Sequence, residues 1–330
     1  MAAAVWFPRA RAVEVREERV PGPGPGQIRV KAVLSALSHG TERLVYRGEV
    51  DRELALDLPS LAGGYGFPVK FGYASVGRVI ALGPEVNTLR EGDLVFALHP
   101  HQTEYVVNAS LAHRLPADTP ADAGVFLANL DTAFNVVLDA HPQPDEVAIV
   151  FGQGVVGLLV TQLLRRAGLR VIAVEPAPLR RAMSGRCGAV AITPAQIDVI
   201  REMTAGRGAH FAIEASGNPN ALQQAIDHVT VEGRVIVCSW YGEKRVSLDL
   251  GGNFHRGRLT IRSSQVGGID PALAPRWDRA RRLAAATDLL DDLVLADLIT
   301  HRIPLARAAE AYKLLDERAD ETIQVVLTYD

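Results

Sequence analysis

Phe151-Gly152-Gln153-Gly154-Val155-Val156-Gly157 lies between a β-branched apolar run, Glu146–Phe151, and a helical one, Val155–Ala167. An acidic residue, Glu175, ends the next apolar run 18 positions after Gly157. In that setting the glycines read as a dinucleotide-binding turn. Gly152 permits a tight bend, Gly154 lets the backbone approach a pyrophosphate, and Gly157 removes the side chain that would hold helix from strand. The helix N-terminus then faces the phosphates, with Gln153, Val155 and Val156 completing the loop around them. Glu175 would accept both ribose hydroxyls of NAD and repel the 2′-phosphate of NADP, so NAD is favoured. Arg180 and Arg181, just behind it, keep NADP open. The plain alternatives are a turn shaped by glycine and an acid at a solvated strand end.

Outward from this loop the rhythm repeats: Arg170–Val174, Leu179–Ser184, Ala189–Ile192, Ala195–Ala205, His210–Glu214, Asn220–His228, Arg234–Cys238 and Leu259–Ser263. Alternating strands and helices predict an α/β fold with a doubly wound parallel sheet of two mononucleotide-binding halves. Before it, Arg11–Val20, Ile28–Leu34, Val76–Leu82, Leu94–Leu98 and Glu104–Val107 alternate with turn residues and read as a β-rich domain. After it, Arg276–Thr287 and Leu305–Glu317 read as amphipathic helices and Thr322–Thr328 as a closing strand.

The chain has 330 residues, 48% hydrophobic and 22% charged, with a net charge of −3. That composition predicts a folded two-domain protein and argues against a nucleic-acid partner. Val147–Val160, the most apolar stretch, carries three glycines and falls short of a membrane span, so no membrane partner is expected. The start lacks a basic region ahead of its short apolar run, and only Cys187 and Cys238 are present. A cytoplasmic protein with inert buried thiols is expected.

The order of parts, with Gly92-Asp-Leu-Val95, Phe211-Ala-Ile-Glu-Ala-Ser-Gly217 and Leu298-Ile-Thr-His-Arg-Ile-Pro304, resembles the medium-chain dehydrogenase/reductase (zinc-type alcohol dehydrogenase-like) superfamily. Ser38–Gly48, Gly72–Arg78 and Trp240-Tyr-Gly-Glu resemble its bacteriochlorophyllide a dehydrogenase branch. The resemblance implies a GroES-like β-rich catalytic domain over residues 1–127, a Rossmann domain over 128–267, and a return to the first domain over 268–330. It also implies a homodimer, paired through the strand near Arg258–Ser264.

Zinc-dependent relatives hold their metal with a Cys, a His and a third Cys or carboxylate. The matching positions here carry His39, Tyr73 and Ala128, and the four-cysteine lobe is missing, so no catalytic or structural zinc is expected. His39-Gly-Thr41-Glu42 and Gly72-Tyr73 occupy the places that surround the reacting centre in relatives. His39, Thr41 and Tyr73 are therefore the catalytic candidates, each able to donate a hydrogen bond and His39 able to act as acid and base. Their plainer readings are a helix cap, a backbone-satisfying hydroxyl and a core phenol. Glu42 reads as structural, neutralised by Arg43 or Arg78. His99 and His101 read as imidazoles on a surface turn, and Asn129 and Asp131 as residues opening the helix before the Rossmann half.

Thr132, Ser216, Gly217 and Trp240 are further cofactor candidates by alignment and by their place at the carboxyl ends of strands. Gln324 stands where relatives often put Lys or Arg near the pyrophosphate. The resulting expectation is a zinc-independent, NAD-dependent oxidoreductase acting on a secondary alcohol or ketone of a small or medium metabolite in an interdomain cleft. The alternatives are a zinc-free quinone or enone reductase and a catalytically silent nucleotide-binding protein.

Overall fold

The computed structural model describes residues 1–56 and 63–329. Strands run from β1 (Ala2–Trp6), β2 (Glu14–Glu18), β3 (Gln27–Ala36) and β4 (Ser75–Leu82) through β5 (Leu94–Ala97), β6 (Glu104–Asn108) and β7 (Ala112–Arg114). Next come β8 (Val147–Phe151), β9 (Arg170–Val174), β10 (Val190–Ile192), β11 (Ala209–Glu214), β12 (Val229–Val237) and β13 (Thr260–Ser263). The chain closes through β14 (Ile299–Pro304) and β15 (Gln324–Thr328). It divides into two compact units, residues 1–128 with 289–330, and residues 129–288.

The first unit holds a sheet in the order β14-β15-β3-β4-β5-β7, with β6 also pairing β3. Its pairings are antiparallel except β14 with β15. Along β3 burial alternates, so Ile28, Val30 and Ala32 enter a core with Val79, Val95 and Tyr105. A second core gathers Phe7, Leu37, Val45 and Tyr46 around Tyr312 and Leu315 of the helix Ala308–Glu317.

The second unit is a parallel sheet in the order β10-β9-β8-β11-β12-β13. Every residue of β8 is buried, as expected for a strand covered on both faces. The order reverses between β8 and β11, so the crevice used by this architecture opens at their carboxyl ends.

Several expectations need correction. The segment Ala195–Ala205 is not one helix: Thr193 and Gln196 form a capping box around Pro194–Gln196, and a separate helix covers Val199–Met203. Asp131 and Asn129 do not open a helix, because it runs from Leu127 to Ala140. Asp131 instead pairs with the buried Arg282 at 2.7 and 2.9 Å. Arg282 also reaches the Val266 carbonyl at 2.7 Å and Asn135, tying that helix to Arg279–Asp288.

Candidate functional site

In the second unit the chain leaves β8 at Gly152, whose φ of +86° suits glycine. A Cβ there would lie 2.8 Å from the Cα of Ser216, and one at Gly157 only 2.0 Å from the Gly152 carbonyl oxygen. Gly154 precedes the helix Val155–Arg166 and has open space where a Cβ would stand. Two of the glycines thus serve close packing, and the middle one leaves an approach to the first helical amides. Val155 is buried and Val156 half-buried. Gln153 is fully buried; its Nε2 donates to the Val150 carbonyl and its Oε1 accepts from Thr161, so its side chain braces the loop.

Glu175, at the end of β9, is 3% exposed. One carboxylate oxygen accepts the Gln153 N–H at 2.7 Å and the other the Ala177 N–H at 2.9 Å. Each oxygen keeps a second lone pair for a ligand hydroxyl. Arg181 donates to the carbonyl oxygens of Glu175 and Pro176, and Arg180 is half-buried on the same helix, Pro178–Arg186.

Across the switch point Glu214 is fully buried, and its Oε1 accepts from the Ser216 N–H at 2.7 Å, the Ser216 hydroxyl at 2.6 Å and the Gly217 N–H at 2.8 Å. It fixes the turn that carries the predicted Ser216 and Gly217. This residue was missed as a site residue, although it sits inside the quoted Phe211–Gly217 stretch. Burial, then the Glu214 charge, pushes the Tyr241 hydroxyl pKa up. Trp240 is exposed, and Thr132 is half-buried beside Asp131. Burial raises Cys187 to about 11, and burial with the Glu214 charge raises Cys238 further, so neither is a reactive thiolate.

In the first unit, His39 and Gly40 form the turn that opens the helix Thr41–Arg47. Tyr73 is half-buried near polar groups: burial and the Glu42 charge raise its hydroxyl to about 12, while the nearby Ser38 and Thr41 side chains oppose the rise. The fold therefore brings Thr41 and Tyr73 together, with Ser38 as a partner the sequence did not single out. Half-buried His39 stands two residues before Thr41 on the same turn.

Arg78 is not what satisfies Glu42. Arg78 donates to the Gly92 carbonyl, and the fully buried Glu42 accepts from the Ser38 N–H at 3.0 Å, Tyr312 at 2.6 Å and the His101 ring at 2.9 Å. His99 and His101 are not on a surface turn either. Their segment hydrogen-bonds to β1 through the Val5 N–H to the His101 carbonyl and the Thr103 N–H to the Ala3 carbonyl, which draws both rings inside. His99 stacks on Tyr105 at 3.8 Å, and burial pushes its pKa down to about 3. Gln324 is 1% exposed and donates to the Leu37 and Val325 carbonyls, so it is an interior residue of the first unit.

Residues 155–286 match the family described as zinc-binding dehydrogenase. The chain is 27% identical over 300 residues to (R,R)-butanediol dehydrogenase of Bacillus subtilis, covering 82% of this chain and 84% of that protein. It is 28% identical over 353 residues to L-threonine 3-dehydrogenase of Pyrococcus abyssi, covering 96% and 95%. It is 27% identical over 344 residues to D-guloside 3-dehydrogenase of Escherichia coli, covering 98% of each. In fold it is similar to the crystal structure of 2R,3R-butanediol dehydrogenase from Bacillus subtilis, with a TM-score of 0.83 at 21% identity over all of both chains. Galactitol-1-phosphate dehydrogenase from Escherichia coli gives 0.80 at 20% identity over 99% of each chain. The two-domain α/β architecture is that of the alcohol dehydrogenases.

Proposed function

We propose that this protein is an NAD-dependent dehydrogenase of secondary alcohols, or the corresponding ketone reductase, working without a catalytic zinc. The glycine loop carries the reading: Gly152 and Gly157 permit approaches no side chain would allow, and Gly154 leaves the helix amides open. These residues fit a dinucleotide. The loop and helix start would hold its pyrophosphate, Glu175 its adenosine ribose, and the Glu214-braced Ser216–Gly217 turn its further half. When bound, the nicotinamide accepts or gives the hydride. The names of the three relatives above all designate secondary alcohols, which supports that substrate class. Solved neighbours are described with NADH in one case and NADP in another, so the preference for NAD rests on Glu175.

The donors present do not fit a catalytic zinc, despite the family's description. Of the three positions, Ala128 has no side-chain donor atom, Tyr73 offers a phenol held protonated by its surroundings, and His39 alone offers an imidazole. A catalytic zinc takes about three protein ligands. In place of a metal, Tyr73 stays protonated through neutral pH and can donate to the oxygen of a carbonyl, with the Thr41 and Ser38 side chains close by. His39 is the candidate to exchange the substrate proton with water.

The test is separate titration of NADH and NADPH into chelator-treated protein by nicotinamide fluorescence, followed by a panel of secondary alcohols beginning with 2,3-butanediol. Tighter NADH binding, reversed by Glu175→Ser, is expected, with alcohol-dependent NADH formation. Binding of neither nucleotide overturns the reading and leaves a silent scaffold. Reduction of enones but not ketones moves it to the quinone and enone reductases.

A further inference from the structure

Glu42 is fully buried, and a carboxylate in such a place must be hydrogen-bonded. The Ser38 N–H and the Tyr312 hydroxyl already serve it, and any third donor would complete the set. His101 does more than that. Its Nε2 lies 2.9 Å from Glu42 Oε2, and its Nδ1 lies 2.7 Å from the Ser35 hydroxyl. Ser35 in turn lies 2.6 Å from the Tyr329 hydroxyl. Ser35 and Tyr329 contribute nothing that Glu42 itself requires.

Each member beyond the carboxylate is a group that both donates and accepts. Ser35 and His101 are 0% exposed, so bulk water does not compete along the line. The ring is also held in place, since a Cβ on Gly72, the residue before Tyr73, would fall 2.7 Å from it. A fixed imidazole with both nitrogens engaged passes a proton by taking one at Nδ1 and releasing one at Nε2, without turning over. At the outer end, Tyr329 is half-buried and lies near the backbone of Gln102. Gln102 lines a cavity of about 300 Å³, together with Glu18 and His99.

We propose that Tyr329, Ser35, His101 and Glu42 form a buried proton relay serving the loop of Ser38, Thr41 and Tyr73. The inference rests on the oxidoreductase reading, in which each hydride transferred is accompanied by one proton. In the inward direction Tyr329 gives its proton to Ser35, Ser35 gives its own to His101 Nδ1, and the proton on Nε2 passes to Glu42. Tyr329 is reprotonated from water at the Gln102 side. The outward direction reverses each step and restores the ring's tautomer, so Glu42 is loaded and unloaded once per turnover with no net proton left behind, while the proton that joins or leaves the substrate is exchanged through His39. Loading Glu42 removes the negative charge that faces Tyr73, and the phenol then gives up its proton more readily. Glu42 and His101 are thus positioning residues that act through Tyr73.

The relay is tested without any substrate, so its failure is distinct from failure of the proposed activity. In the full chain with ¹⁵N-labelled histidine, solvent exchange of the His101 ring proton is measured by NMR, the signal being assigned by its loss in His101→Gln. Tyr329→Phe keeps the ring and removes the hydroxyl, and it is expected to slow exchange at least tenfold. Tyr312→Phe, which removes a donor lying off the line, is expected not to slow it. Unchanged or faster exchange in Tyr329→Phe overturns the relay, because a purely structural hydrogen bond protects the ring and its loss only loosens the site. If Ser35→Ala folds, it must slow exchange as Tyr329→Phe does.

Discussion

Gly157 has its Cα position so near the Gly152 carbonyl that an added methyl group would lie 2.0 Å from that oxygen. Gly157→Ala must part helix from strand, at about 1–3 kcal/mol for overpacking, and NADH affinity falls at least tenfold. Melting temperature and nicotinamide fluorescence read the two effects separately. A different single residue governs acid stability. His99 is held at about 3 in the folded protein, below its ordinary 6.5, by burial. The unfolded chain therefore binds the extra proton first. Stability is unaffected above pH 6.5 and falls as pH drops towards 3, by about 1.4 kcal/mol per pH unit. Urea unfolding at stepped pH values is expected to show this slope in the wild type and a shallower one in His99→Gln. The glycines were legible because backbone clearance leaves its mark on residue type. The histidines were not, since His-Pro-His suits a turn, and only pairing of that segment with β1 sends the rings inward.

Pattern carried far at the scale of elements. β8, β9, β11 and the helix after the glycine loop fall within a residue or two of their sequence ranges, because a parallel strand needs a continuous apolar run. Polar clamps between elements left no such trace. Arg282 lies 151 residues from Asp131, and nothing periodic links them. Arg282→Met leaves Asp131 without its counter-charge and is expected to cost about 3 kcal/mol in a denaturant titration, most of which Asp131→Leu in the same chain recovers. The same reasoning covers Glu42. Its role as a structural carboxylate followed from the family resemblance, whereas its partners His101 and Tyr312 come from elements 59 and 270 residues away.

For the whole molecule, removal of metal is the simplest discriminating measurement. Exhaustive chelation is expected to leave melting temperature, NADH binding and alcohol oxidation unchanged, and zinc recovered in proportion to lost activity would reverse that reading. β13 ends its sheet with a neighbour on one side, β12, which suits it to pair with a second copy. Sedimentation at twice the chain's 35.5 kDa is expected.

The division of the chain also sets an order of events during synthesis. Residues 129–288 are continuous and include every strand of their own sheet, so that unit has all its parts before β14 and β15 are made. The other unit has to wait. β3 leaves the ribosome long before the strand beside it, β15, with Val326 opposite Ala36. Until then the Leu34–Ala36 end of β3 is an open edge in a nascent protein, although β6 already pairs with Gln27–Lys31, and neither Tyr312 nor Tyr329 has arrived to close the polar line through His101. A chain cut after residue 320 would leave residues 129–288 folded beside a unit that lacks β15.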